Sequence, residues 1–260
     1  MHFVGIDLAW GLKNPTGVAV LDETGTLCHA SAVRTDDEIV AVVRAAVPGG
    51  CLVGIDAPLI VVNPKGSRAA ERALGRDFAA YEAGAHPSNT GNPAFADGTR
   101  AGRIAGLLDL DMDPESHGPR RALEVYPHAA TVALFRLGRS LKYKNKPGRS
   151  VDQLQAEMLT LIRLLESLET AKPALRLKHS AHWQQLADSV QSATQKAQLR
   201  RAEDAIDAVI CAYVAMLAHE APERVTRYGD YATGYIVTPT LPEGMQPSRR
   251  SAKGRAERRW

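Results

Sequence analysis

The chain has 260 residues, 45% of them hydrophobic and 23% charged, with a net charge of only +3. That is the composition of a soluble globular protein with material for a substantial core, arranged as one large domain or two small ones. Cys28, Cys51 and Cys211 lie far apart in hydrophobic stretches without CxxC spacing, which argues against a disulfide framework or a zinc site and predicts three reduced core thiols. The N-terminus shows no signal-like leader and no apolar run approaches the ~20 residues of a membrane helix, so the expected location is the cytoplasm and no membrane partner is expected.

In chain order, HFVGIDLA (2–9) reads as a buried strand, and TGVAVLD, the turn ETG and TLCHASAV as a hairpin. TDDEIVAVVRAAV opens on Thr35 with Glu38 three residues on, a capping box that predicts a helix with an apolar face at 39, 42, 43 and 46–47. CLVGIDAP (51–58) is a short apolar strand stopped by Pro58, as in the middle of a covered sheet. The first sixty residues therefore read β-β-β-α-β. Residues 63–118 contain one predicted helix, SRAAERALGRDFAAYEAG, then a Gly-, Pro-, Asn- and Asp-rich stretch with a short helical piece near 100–108; we read the whole as an insertion or flexible lid. RALEVYP is a further strand, HAATVALFRLG a helix, VDQLQAEMLTLIRLLESLE a helix, and 180–200 a more polar helix. The apolar run EDAIDAVICAYVAMLA is a helix ending near Pro222, TGYIVTPT a final edge strand, and 243–260 a basic, flexible tail.

The acids carry the functional signal. Asp204 and Asp207 share one face of an otherwise apolar helix, where an unpartnered carboxylate is costly. Asp7 and Asp56 close the two strands that read GID. Carboxylates delivered by two strands and a helix point to a divalent-metal site, since hard cations take oxygen ligands. Each acid also has a plainer reading: a turn cap for Asp7 and Asp56, a helix-dipole partner for Asp204. Two basic clusters, KYKNKPGR at 142–149 and the tail from Arg249 to Trp260 with six Arg or Lys and one acid, are either solvated surface or polyanion contacts. Arg68 and Arg72 with Glu71 read equally as a phosphate clamp or as a solvated helix face. DLDMD at 109–113 fails as a calcium loop, because Pro114 and Arg120 stand where Gly and Glu are needed. There is no GxxxxGK loop, HExxH or GxSxG elbow.

Four segments in this order, GIDLAW with PTGVAVLD, GIDAPL, LEVYPHAA with LKYK, and EDAIDAVICAYVA, resemble the predicted RNase H-like nucleases of domain-of-unknown-function family 429; the last helix is also similar to the DxxDA pattern of RuvC-type resolvases. The resemblance covers most of residues 2–238. It implies an α/β, ribonuclease H-like fold over 1–242: a mixed central sheet of three antiparallel strands and then parallel ones, flanked by helices, with 63–118 inserted. The first strand would end beside the fourth, with the last helix packed on that pair, so that the carboxylates of Asp7, Asp56, Asp204 and Asp207 converge around Mg2+ or Mn2+ for two-metal phosphodiester hydrolysis. Asp56 stands where the resolvases have glutamate. By the same resemblance Glu124, at a strand end, joins the catalytic set, its plainer reading being a salt-bridged strand-end glutamate; His128, at a helix N-terminus, reads as a structural histidine before one that orients a water or phosphate. Arg68, Lys142, Lys144, Lys146 and Arg149 would contact nucleic acid, DNA or RNA. The competing expectations are a catalytically idle module binding nucleic acid or another partner on the same fold, and an actin-like-superfamily ATPase or kinase, which lacks support because a second phosphate hairpin is missing.

Overall fold

The computed structural model describes residues 1–9, 11 and 14–248. Its centre is a five-stranded sheet ordered β3-β2-β1-β4-β5, built from β1 (His2–Asp7), β2 (Thr16–Leu21), β3 (Leu27–Val33), β4 (Cys51–Ile55) and β5 (Arg120–Glu124). β1, β2 and β3 pair antiparallel, whereas β4 runs parallel to both β1 and β5, so the sheet is mixed and helices flank it. α1 (Asp36–Ala46) begins at the expected capping box: Thr35 Oγ1 accepts from Glu38 N, and the Glu38 carboxylate accepts from Thr35 N. Every residue of β2 and β4 is buried, and all of β1 beyond His2, which explains why these strands read as apolar runs without alternation.

The dominant helix is α7 (Lys196–Glu220), which lies on β1, β2 and β4 and is continuously buried from Ala205 to Leu217. Three glycines let it in. A Cβ on Gly5 would lie 1.8 Å from Ala208 O, one on Gly17 1.8 Å from Asp204 O, and one on Gly54 2.4 Å from Cys211 O. The helix backbone thus rests directly on the strand backbones, closer than any side chain would permit. α5 (Val151–Ser167) and α6 (Ala181–Gln191) pack against α7, and α6 also against β3.

Several expectations are revised by this arrangement. α7 begins eight residues before Asp204, and the predicted 180–200 helix is instead interrupted at 192–195. Gly234–Pro239 (β7) is not an edge of the main sheet; it pairs with Val225–Asp230 (β6), unanticipated from sequence, in a separate two-stranded sheet joined to the main one by a single bridge, Val125 to Val237. Within 63–118, α2 (Ala69–Phe78) packs on that hairpin and forms a second apolar cluster with α4 (Pro127–Leu134) and Tyr228. α3 (Arg100–Leu107) is anchored to the main core, its Arg100 guanidinium bonding Ala9 O, Arg34 O and Asp36. Cys51 and Cys211 are free and buried as expected, but Cys28 is exposed, on the outward face of β3. Residues 243–248 lie against the body, Ser248 N donating to Gly138 O and Tyr81 Oη to Met245 O; the basic run 249–260 lies outside the described residues. Among the described residues no helix is long and apolar enough to cross a membrane.

Candidate functional site

Alternation along a strand puts residues i and i+2 on one face. Gly5 and Gly54, neighbours in register, meet α7, so Asp7 and Asp56 two residues later face the same helix. The repeated GID therefore has two parts: glycine admits the helix, and aspartate turns toward it. Asp56 N also donates to Ile6 O at 2.8 Å, extending the parallel ladder and setting the two acids side by side. From the helix, Asp204 and Asp207 sit at the ninth and twelfth positions of α7, beyond the first turn in which the helix dipole favours acids, so the dipole reading of Asp204 falls away.

Electrostatics record the crowding. Burial, followed by the Asp207 charge, raises the Asp7 carboxyl to about 6 against the pull of Lys144. Burial and Asp7 hold Asp56 well above the carboxylate range. Burial, with Asp7, Glu203 and Asp207 adding, lifts Asp204 to about 8, and burial raises Glu203 to about 7. Asp207 is fully buried; Tyr143 Oη donates to its Oδ1 at 2.7 Å.

The cation in this cluster is Lys144. Its Nζ lies 2.6 Å from Asp207 Oδ2 and 3.8 Å from Asp7 Oδ2, an ion pair without an aligned hydrogen bond to Asp207. Burial opposes its charge, but Asp207, Asp7 and Asp56 outweigh burial and hold the ammonium protonated. Sequence reasoning placed Lys144 at the border of the site and missed Tyr143 and Glu203 as members. The signal available for Tyr143 was an aromatic inside an otherwise polar basic loop.

The remaining basic candidates divide. Lys146 is exposed and lines the cavity beside the acids. Lys142 pairs with Glu82 at 2.5 Å, and Arg149 donates to the carbonyls of Lys142 and Lys144, so it holds the loop in shape. Arg68 and Glu124 are paired with each other. Neither faces solvent: all three guanidinium nitrogens of Arg68 are engaged, Nη1 and Nη2 by Glu124, Nε by Glu71, and Nη1 also by Ile60 O. Glu124 additionally accepts from Leu59 N. Such a pair fixes the start of α2 to the end of β5, and both residues line the same cavity as Asp7 and Asp56. His128 lines the same cavity of about 310 Å³, with Asp7, Asp56, Tyr126 and Lys144.

As a metal centre the donor set fits in kind, being all oxygen and more acidic than one lysine can neutralise. In arrangement, no three His, Cys, Asp or Glu side chains among the described residues are grouped ready to hold an ion. The Lys144 ammonium occupies space between Asp7 and Asp207, and a cation there would have to displace it.

Fold and site together define an α/β protein with a buried carboxylate cluster where two parallel strands meet a packed helix. A family model described as "Protein of unknown function (DUF429)" matches residues 5–232, and the chain belongs to that family. No curated protein matches the chain, and neither does any solved structure.

Proposed function

We propose that the protein is a metal-dependent nuclease or phosphodiesterase of ribonuclease H-like fold. The observation that carries this reading is that two strands and a helix bring Asp7, Asp56, Asp204 and Asp207 to one place, where burial and then neighbouring carboxylate charge raise the carboxyls of Asp7, Asp56 and Asp204. The strand order, with β1 between β2 and β4 and α7 on the β1–β4 pair, supports it. Asp7, Asp56, Asp204 and Asp207 would hold Mg2+ or Mn2+, which supplies an acidified water and charge neutralisation at the leaving oxygen. The chain's own part is to arrange the oxygens. Tyr143 donates to Asp207 Oδ1 and Lys144 pairs with its Oδ2, so a cation joining the cluster would take the place of that ammonium. Lys146, at the cavity, would meet the phosphate of a DNA or RNA strand.

Lys144 favours a second reading, a nucleic-acid- or partner-binding module without catalysis, because its ammonium already neutralises part of the cluster. Thermal unfolding with Mn2+ separates the two. A ligand of the native state adds RT ln(1 + [L]/Kd), about 2.7 kcal/mol at a hundredfold excess over Kd. Wild type should gain that stability and cleave a nucleic acid, EDTA should abolish both effects, and Asp7→Asn should fold without either. Equal Mn2+ shifts in wild type and Asp7→Asn would remove Asp7 from the ligand set and leave the binding module.

A further inference from the structure

The cavity beside Asp7 and Asp56 extends to a wall formed by Tyr126, His128, Ala85 and Ile236. The Tyr126 ring is held in place by the hydrogen bond from its hydroxyl to Gly84 O at 3.1 Å, and it meets the His128 ring edge-on with centroids 5.9 Å apart. Tyr143 closes on His128 from another side, also at 5.9 Å. Burial, then the charges of Lys144, Lys146 and Lys142, keep the imidazole neutral, its pKa pushed down to about 3. A neutral imidazole has one donor and one acceptor nitrogen. His128 Nδ1 is buried and has no hydrogen-bond partner among the described residues.

These features are of the kind that holds a small amphipathic ligand with an anionic end. The cavity, about 310 Å³, lies at the low end of the ~300–1,000 Å³ usual for small-molecule sites. It offers flat ring and aliphatic walls, one unsatisfied ring nitrogen, and two lysines next to the acids. We propose that the cavity receives a single nucleotide, its base against Tyr126 and His128 and its phosphate at Lys146 and the acidic cluster. The substrate is then a strand end or an unpaired nucleotide and not the interior of a continuous duplex. The identification rests on the phosphodiesterase reading for why a phosphate lies at the acids. A cavity of about 310 Å³ has room for one base and not for a stacked pair, and an unpaired base enters at the least unstacking cost.

The test is isothermal titration of the full chain with AMP, GMP, CMP and UMP in Mg2+, repeated on His128→Phe and Ala85→Leu. Ala85 is only half-buried, so its replacement narrows the cavity with little risk to folding. We expect saturable binding of at least one mononucleotide to wild type, weakened tenfold or more in both variants, with melting temperature and Mn2+ shift unchanged. A labelled single strand should also be cleaved at least tenfold faster than the interior of a blunt duplex. Equal mononucleotide affinity in wild type and both variants, or no binding to wild type, overturns the proposal. Duplex-interior cleavage without mononucleotide binding overturns it while leaving the phosphodiesterase reading intact. Binding lost in both variants but no cleavage of any strand upholds the nucleotide cavity and overturns the phosphodiesterase reading.

Discussion

Replacing Gly17 by alanine tests the geometry on which the whole site depends. A Cβ there would lie 1.8 Å from the carbonyl oxygen of Asp204 and 2.3 Å from its carbon, whereas ordinary contact begins near 3.4 Å. No flexible side chain can yield, since the obstacle is helix backbone, so β2 and α7 must separate locally by about 1.6 Å in an interior packed to crystal-like density. Overpacking typically costs 1–3 kcal/mol, and a backbone obstacle puts Gly17→Ala at the upper end, about 3 kcal/mol. At about 2–4 °C per kcal/mol for a domain of this size, the melting temperature should fall by about 6–12 °C. Gly49→Ala is the control, because nothing lies within 4 Å of its added Cβ. Asp204 carries the obstructing carbonyl, so the same displacement moves its carboxylate and should abolish any Mn2+-induced shift. Circular dichroism melts with and without Mn2+ read both effects. A Gly17→Ala protein melting within about 2 °C of wild type would refute the direct seating of α7 on the sheet.

Two further expectations follow from the buried charges. Asp204, raised by burial to about 8 in the folded chain from the 3.8 of a free aspartate, makes the folded chain bind more protons than the unfolded one across that window, so its contribution to stability falls as pH rises from about 4 to 8. In the absence of divalent cations, the melting advantage of Asp204→Asn over wild type should therefore be near zero at pH 4 and largest at pH 8; a pH-independent difference would contradict it. Arg68→Met leaves Glu124 and Glu71 buried without their cation and should cost about 3–5 kcal/mol in urea unfolding, with part recovered by adding Glu124→Leu. A loss below about 1 kcal/mol would contradict the buried ion-pair network at Arg68.

The order of elements through residue 60, the capping box at Thr35 and the burial of β4 were legible in the sequence, because each depends on neighbours along the chain: apolar runs, turn residues, a cap three residues from its partner. The four aspartates stood out for a related reason, as carboxylates set where the local pattern was otherwise apolar. The repeated GID contained more than its acids. The glycines' role in admitting α7 depends on a helix some two hundred residues away, and nothing local announces it. Tertiary structure alone decided the fate of the charges. A basic residue reads the same beside a phosphate as in an ion pair, so the sequence put Lys144 at the border of the site as a nucleic-acid contact, and only the fold set it between Asp7 and Asp207. Arg68 and Glu124, 56 positions apart, could be recognised as partners only once α2 and β5 met. Strand β6 escaped notice because its mostly exposed, polar face is stabilised by pairing with β7 and packing against α2, not by its own pattern. Periodicity is a property of the chain; whether a charge is paired, buried or free is a property of what the fold sets beside it.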